Sequence, residues 1–231
     1  MIQPTSLAAI RKGIQQYGAA PGGKAMMQME NEAAIEALRT GVYIVWRSHK
    51  AKGGDFCARV GPRSRCFCGH LFGAHRANTS NTTKPTKSKR STSYGCSQCS
   101  CLCFQYIPQR PEEVGEWWLP RRKGFNVHTW RAKCRCGHPH DAHDPRTMSC
   151  KHCSCSHFSS NFCCVTCDGR YEDHETVFES AAERTRAGRP VGAAFKPLAA
   201  QPDLRRAVFA EAATEQTPEE LFETGAIDAK T

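Results

Sequence analysis

Apolar and polar positions along the chain predict only a few regular elements. Residues 25–40, AMMQMENEAAIEALRT, have a helix-forming composition and are followed by a glycine. Residues 42–48, VYIVWRS, are β-branched and aromatic, which predicts a strand. Residues 175–188, ETVFESAAERTRAG, predict a second, short helix. Between the strand and that helix, Leu, Ile and Val are too scarce to fill a core of ordinary size.

This pattern divides the chain into four parts. Residues 1–24 contain several prolines and glycines and predict a flexible arm, and residues 25–56 hold the helix and the strand. Residues 57–175 hold all the cysteines and most of the histidines, interrupted by the polar stretch 78–93, which predicts a disordered loop. Residues 176–231 predict a helical or extended tail with an acidic end.

Composition adds a reason why the middle part can fold without a large core. Hydrophobic residues make up 39% of the chain, a figure that includes 15 cysteines. The N-terminal residues lack the apolar run of a signal peptide, and no stretch approaches the roughly 18 apolar residues of a membrane helix. We therefore expect a cytoplasmic, reducing location without membrane contact, where clustered cysteines bind metals rather than form disulfides.

The expected fold is a small, zinc-stabilised, mostly irregular α+β structure with short β elements, metal knuckles, flanking helices and extended terminal arms.

A repeat organises the cysteines and histidines. CFCGHLFGAH (66–75) and CRCGHPHDAH (134–143) share the template Cys-x-Cys-Gly-His-x4-His. Each copy is followed by a Cys-x2-Cys-x-Cys cluster, CSQCSCLCF (96–104) and CKHCSCSHF (150–158). CVTCDGRYEDH (164–174) adds a third, partial copy. Agreement of this kind within one short chain points strongly to metal binding.

Zinc fits these ligand types. Thiolates and imidazoles select zinc over Ca²⁺ or Mg²⁺, and the histidines disfavour an iron–sulfur cluster. A Cys-x-Cys pair reaches one ion only if the chain curls, and Gly69 and Gly137 stand where a curl needs a permissive residue. The template positions suffice for three or four tetrahedral zinc ions. The predicted ligands are Cys66, Cys68, His70, His75, Cys96, Cys99, Cys101, Cys103, Cys134, Cys136, His138, His143, Cys150, Cys153, Cys155, Cys164, Cys167 and His174.

Several residues near the template stay open as ligands. They are Cys57, His140, His152, His157 and Cys163. The counterpart of His140 in the first copy is Phe72, which favours a place for His140 beside the ligands or at the surface. Cys57 is also compatible with a small, buried apolar role.

Charge and motifs narrow the function. The formal net charge of +10 counts thiols as neutral, so it argues only weakly for nucleic-acid binding. Neither His-Glu-x-x-His nor the nucleobase-deaminase signature occurs, so we expect no catalytic activity and no small-molecule substrate. We favour a structural or adaptor protein with protein partners; the alternative is a nucleic-acid-binding zinc module, although the DNA-reading finger spacing is absent. Residues 117–119, WWL, are either an exposed docking patch or the cap of a small core.

These motifs resemble the eukaryotic "family with sequence similarity 221" proteins over roughly residues 42–192. VYIVWRS, GGDFCARVGPRSRCFCGHLFGAH and ERTRAGRPVG carry the resemblance together with the cysteines. The resemblance implies a Cys/His-rich intracellular module without known enzyme activity. It also implies a microtubule-linked or axonemal role in a cilium or the cytoskeleton, with tubulin or axonemal proteins as partners.

The resemblance bears on individual cysteines as well. Cys57 falls on a family cysteine, which makes it a candidate ligand. The third copy has one cysteine fewer than the family pattern, so the partners of Cys167 and His174 stay open.

Overall fold

The computed structural model describes residues 22–50, 54–77 and 94–197, together with Lys12, Gln16, Pro202, Arg205 and Arg206. Most of the predicted 1–24 arm, the whole predicted 78–93 loop and nearly all of the tail beyond 197 lie outside the described residues. The described part is a small mixed α/β fold with short strands, short 3₁₀ turns and much irregular backbone. Among the described residues, no helix combines the length and the apolar character needed to cross a bilayer.

Helix α1 (Gly23–Thr40) covers the predicted helix with two more residues at its start. Gly41 ends it in a left-handed conformation, φ 70°, and donates its N–H to the Ala37 carbonyl at 2.9 Å. The alanine face of α1 packs closely on the backbone at Gly61. A Cβ on Gly61 would lie 2.8 Å from the Ala33 Cα, so this approach requires glycine.

The main sheet has three antiparallel strands. β1 (Val42–Ser48) coincides with the predicted strand and lies between β2 (Ala58–Arg59) and β5 (His174–Ser180). In the register, Val42 faces Ser180 and Ser48 faces His174. The first residue of β5 therefore lies beside the last residue of β1, next to the third copy of the repeat.

The helix predicted for 175–188 is wrong in its first half. Residues up to Ser180 form β5, and the shorter helix α2 (Ala181–Arg186) follows. The β-branched and aromatic residues 176–178 find a full partner in β1, which outweighs their helical spacing. The helix starts instead at a capping box, where Ser180 and Glu183 exchange backbone-to-side-chain hydrogen bonds at 2.8 and 3.2 Å.

A smaller antiparallel sheet joins the first copy of the repeat to its cysteine cluster. It consists of β3 (His75–Ala77) and β4 (Tyr94–Cys96), with His75 paired to Cys96. The second copy makes the same junction with an isolated bridge between His143 and Cys150. In both copies the last histidine of the template is thereby fixed beside the first cysteine of the cluster.

The main core is aromatic and lies between the two copies of the repeat. Phe67 meets Phe158 edge-to-face at 5.1 Å and stacks on Tyr171 at 6.0 Å. Phe104 and Phe158 end the two cysteine clusters, and each is 1% exposed. Rings carried by the repeat itself thus replace the aliphatic residues that the sequence lacks.

A second, smaller core surrounds Arg184, which has no exposed surface. Its guanidinium donates to Glu179 at 2.7 Å, contacts Asp55 and lies over the ring of Phe195 at 5.0 Å. These contacts tie α2 and the chain up to Phe195 to the main sheet. A buried charge of this kind is tolerated because both carboxylates neutralise it.

Candidate metal centres

Three segments of the chain fold into the same backbone turn, which we call the first knuckle (66–75), the second knuckle (134–143) and the third knuckle (164–174). In each, the N–H of the first cysteine donates to a carbonyl four or five residues later, at 2.8, 2.9 and 2.8 Å. Each knuckle then passes through a 3₁₀ turn and ends at a histidine. The partial copy in the sequence therefore follows the same path as the other two, with one residue more between its two cysteines.

The tight position of each knuckle has a positive φ. Gly69 and Gly137 have φ of 91° and 85°, which confirms that the curl uses the glycines of the template. In the third knuckle the same place is taken by Asp168, with φ 56°. Aspartate is among the few residues that adopt this conformation, so the turn survives without glycine.

Two buried groups of candidate ligands lie at the base of the first and second knuckles, and we call them the inner groups. They consist of Cys66, Cys68, His75 and Cys101, and of Cys134, Cys136, His143 and Cys155. Within each group the ligand atoms lie within 4.8 Å of one another. The Sγ–Sγ distance is 3.9 Å between Cys66 and Cys101, and 3.8 Å between Cys134 and Cys155. The two copies thus place the same atoms at the same separation.

Two further groups lie nearer the surface, and we call them the outer groups. They consist of Cys68, His70, Cys96 and Cys99, and of Cys136, His138, Cys150 and Cys153. The Nδ1 atom of His70 lies 3.5 Å from the sulfurs of both Cys68 and Cys96. Cys68 belongs to both groups of the first knuckle, and Cys136 belongs to both groups of the second.

The third knuckle forms one group, Cys57, Cys164, Cys167 and His174, which we call the third group. Cys57 comes from the residue before β2, and its N–H donates to the Trp46 carbonyl on β1 at 2.8 Å. The third knuckle has Gly169 where the others have His70 and His138. A Cβ there would lie 3.2 Å from both the Cys167 sulfur and the His174 ring, which is crowded enough to disfavour a second histidine at this position.

Backbone carbonyls orient the last histidine of every knuckle. His75 and His143 donate Nδ1–H to the carbonyls of Leu71 and Pro139, both at 2.9 Å. His174 makes the equivalent bond to Arg170 at 2.6 Å. These bonds fix the tautomer and turn Nε2 toward the cysteine sulfurs, the arrangement found in metal-binding histidines.

Backbone N–H groups also point at the thiols. Gln105 and Ser159 donate to Cys66 and Cys134 at 3.3 Å in the two inner groups. In the third group, a hydrogen bond from the Cys57 thiol lowers the pKa of Cys164 to about 3, and the same contact raises the pKa of Cys57. Thiolates rather than thiols bind metals, so these contacts favour the metal-binding form of the cysteine that receives them.

The groups hold all but one of the predicted ligands. Cys103 belongs to none of them among the described residues, and Cys57 takes part although the template did not contain it. The second cluster has a histidine, His157, where the first has Cys103, so a strict comparison of the two copies would have removed Cys103. The partners of Cys167 and His174, which the sequence left open, are Cys57 and Cys164.

The other residues that the sequence left open, His140, His152, His157 and Cys163, lie outside the groups. His140 is fully buried rather than at the surface, and it donates Nδ1–H to the Phe67 carbonyl at 2.9 Å. Burial lowers the pKa of His140 to about 4, so the ring is neutral at physiological pH. It therefore joins the second knuckle to the first.

The tryptophan pair of residues 117–119 does not cap a core. Trp118 is 61% exposed and Trp117 is 38% exposed. Arg121, Arg122 and Lys123 follow directly and are exposed as well. Of the two interpretations, the structure agrees with an exposed aromatic patch beside a basic one.

Similar proteins occur in several vertebrates. A family profile described as "FAM221: Protein FAM221A/B" matches residues 17–115 and 118–212. The chain belongs to this family. The resemblance inferred from its motifs is thereby confirmed, and no solved structure matches the chain.

Members of the FAM221 family share much of this chain's sequence. FAM221B of Homo sapiens is 43% identical over 193 residues, which cover 81% of this chain and 45% of that protein. FAM221B of Mus musculus is 43% identical over 171 residues, covering 73% and 33%. FAM221A of Xenopus tropicalis is 33% identical over 159 residues, covering 67% and 45%. The chain thus spans less than half the length of these relatives.

Proposed function

We propose that the chain is a non-catalytic, zinc-stabilised structural or adaptor protein. The observation that carries the proposal is the spacing of the ligand atoms. Tetrahedral zinc with its usual bond lengths separates two sulfurs by about 3.8 Å and a sulfur from a nitrogen by about 3.6 Å. The inner sulfurs lie 3.9 and 3.8 Å apart, and the sulfur–nitrogen pairs of Cys68 with His75 and of Cys136 with His143 lie 3.6 Å apart.

The number of ligands supports a structural role. Structural zinc sites are closed by four protein ligands, whereas catalytic sites keep one position for water or substrate. Each group here offers four protein ligands, three cysteines and one histidine. A filled group has no position left for a reacting molecule, and the chain carries no His-Glu-x-x-His motif to supply a general base.

Bound zinc changes the charge of the middle part only modestly. Thirteen thiolates with five divalent ions carry a net charge of −3, against the formal +10 of the chain. The protein therefore remains basic when its groups are filled, which suits an acidic protein surface such as a microtubule. Trp118 with the basic residues 121–123 provides an aromatic anchor beside positive charge, a combination common in protein interfaces.

Metal analysis of the purified full chain tests the zinc part of the proposal. We expect more than three zinc ions per chain to co-purify with the protein. Mass spectrometry under non-denaturing conditions measures this number. Fewer than two zinc ions per chain, or a chain that keeps its fold after complete chelation, contradicts the proposal. If the purified chain instead contains iron and absorbs visible light, its cysteines bind an iron centre rather than zinc.

Co-sedimentation with polymerised microtubules tests the adaptor part. We expect the full chain to pellet with microtubules, and the double variant Trp117→Ala/Trp118→Ala to pellet less, with unchanged zinc content. A control variant, Leu102→Ala, removes an equally exposed apolar side chain from another surface and should behave as the original. Binding to duplex DNA or RNA that weakens steeply with salt, without microtubule binding, would favour the nucleic-acid alternative instead.

The axonemal location rests on the family resemblance alone. A fluorescently tagged chain expressed in ciliated cells should concentrate along the axoneme. A diffuse or nuclear signal contradicts that location and leaves the zinc scaffold itself untouched.

A further inference from the structure

We propose that the first and second knuckles each hold two metal ions joined by a bridging thiolate, Cys68 in one and Cys136 in the other, so that the chain binds five ions. The inference rests on the proposed metal binding and specifies its form. A thiolate sulfur has more than one lone pair and can bind two ions at once. The eighteen candidate ligands then complete five sets of four, because two of them are shared.

The position of Cys68 carries the inference. Its sulfur lies 3.5 Å from His70 Nδ1 and 3.6 Å from His75 Nε2, and these two imidazoles belong to different groups. Both distances match two ligands on the same tetrahedral ion, for which about 3.6 Å is expected. Cys136 repeats the arrangement, at 3.6 Å from His138 Nδ1 and 3.6 Å from His143 Nε2. In each knuckle, the shared cysteine sulfur is therefore close enough to the histidine of the inner group and to that of the outer group to bind one ion with each.

Charge favours two ions over one. Each of the first two knuckles gathers five cysteines and two histidines. With five thiolates, one divalent ion would leave a net charge of −3 in a partly buried site, and two ions leave −1. Uncompensated charge away from water is costly, so the second ion stabilises a ligand set that is otherwise strongly self-repelling.

The third knuckle provides an internal comparison. It has the same turn and the same orienting carbonyl, but Gly169 replaces the histidine of the outer group. It also has no Cys-x2-Cys cluster paired with it, and Cys57 supplies its remaining ligand. With one set of four ligands and no shared sulfur, it takes a single ion.

The two ions of each bridged pair differ in access to solvent. In the first knuckle, Cys66, His75 and Cys101 of the inner group are buried, whereas Cys99 of the outer group is exposed. In the second, Cys134 and His143 are buried and Cys153 is exposed. A chelator should therefore remove the two outer ions of each chain faster than the two inner ones.

Native mass spectrometry of the full chain refolded with zinc tests the bridges. The original chain should bind five ions, Cys68→Ala should bind three, and the matched control Cys99→Ala should bind four. The bridging cysteine serves two ions and the control serves one. A chain that saturates at three ions, or a Cys68→Ala variant that loses no more than Cys99→Ala, overturns the inference.

A measurement on the unaltered chain guards against misfolding of the variant. After exchange of zinc for ¹¹³Cd, five cadmium resonances are expected, four of them split by coupling through a shared sulfur and one unsplit. Five unsplit resonances overturn the bridges while leaving the metal-stabilised scaffold intact. A chain that binds no metal at all overturns the proposed function together with the bridges.

Discussion

The first two knuckles and the third share a backbone turn and differ in what they can hold. All three fix their last histidine with a carbonyl hydrogen bond, and all three have a positive φ at the tight position. In the first two, a second histidine and a cysteine cluster complete the ligand groups. In the third, Gly169 takes the place of that histidine, and Cys57, next to β2, supplies the fourth ligand. The same turn can therefore form a local metal site with a cysteine cluster that follows it, or it can connect distant strands when a remaining ligand comes from another part of the chain.

Complete removal of metal should affect all three knuckles and have the largest effect. Structural zinc contributes about 10–16 kcal/mol of binding free energy that is also folding free energy. We expect a strong chelator at neutral pH to abolish the near-ultraviolet circular dichroism of the rings packed between the knuckles. Added zinc should restore it. A signal that persists without metal would show that the aromatic core holds the knuckles together by itself.

Loss of the third group should cost more stability than loss of an outer group. The third group joins the residue before β2 to the first residue of β5, so it fastens the main sheet. We expect Cys164→Ser to lower the free energy of unfolding by more than about 4 kcal/mol, the range of a lost metal site. The exposed Cys153→Ser should cost less than half of that in a chemical denaturation series. Equal losses would contradict the linking role of the third knuckle.

At the tight position of the knuckles, replacing glycine should cost more stability than introducing it. Gly137→Ala forces a side chain into a left-handed conformation and should cost about 1–2 kcal/mol, although nothing lies within 4 Å of the added Cβ. The reverse change, Asp168→Gly, relieves the same conformation and should cost little or nothing. Thermal unfolding of both variants measures the difference, and a stabilising Gly137→Ala would contradict the assignment of the turn.

His140 should make the second knuckle more sensitive to mild acid than the first, where Phe72 takes its place. Its folded-state pKa of about 4 lies below the unfolded value of about 6.5, so the unfolded state binds the proton first as pH falls. Between pH 7 and pH 5.5 this should remove about 1 kcal/mol of stability. His140→Phe should remove that part of the pH dependence, whatever its effect at pH 7. An unchanged slope would show that His140 is not buried in the neutral form.

Much of the candidate site could be predicted from the sequence, because ligand spacing within a knuckle is local. The template located the knuckles, the clusters and the glycines of the turn. It included Cys103 because that residue continues the cysteine spacing of the first cluster, although the second cluster has His157 at the matching position.

The remaining features depend on contacts between distant segments. Cys57 reaches the third knuckle only because β2 and β5 flank the same strand, and β5 is extended only because β1 pairs with it. The sequence also does not show that Cys68 and Cys136 each belong to two ligand groups, because counting ligands along the chain assigns each one to a single ion. For these features, local spacing and propensity were not enough.

The junction between knuckle and cysteine cluster has a practical consequence for protein engineering. Six residues separate His143 from Cys150, whereas twenty separate His75 from Cys96, and both junctions close on the same paired backbone. The entropy of closing a loop rises only slowly with its length. We therefore expect a reporter domain or an affinity handle inserted between residues 78 and 93 to leave the flanking pairing of β3 and β4 in place.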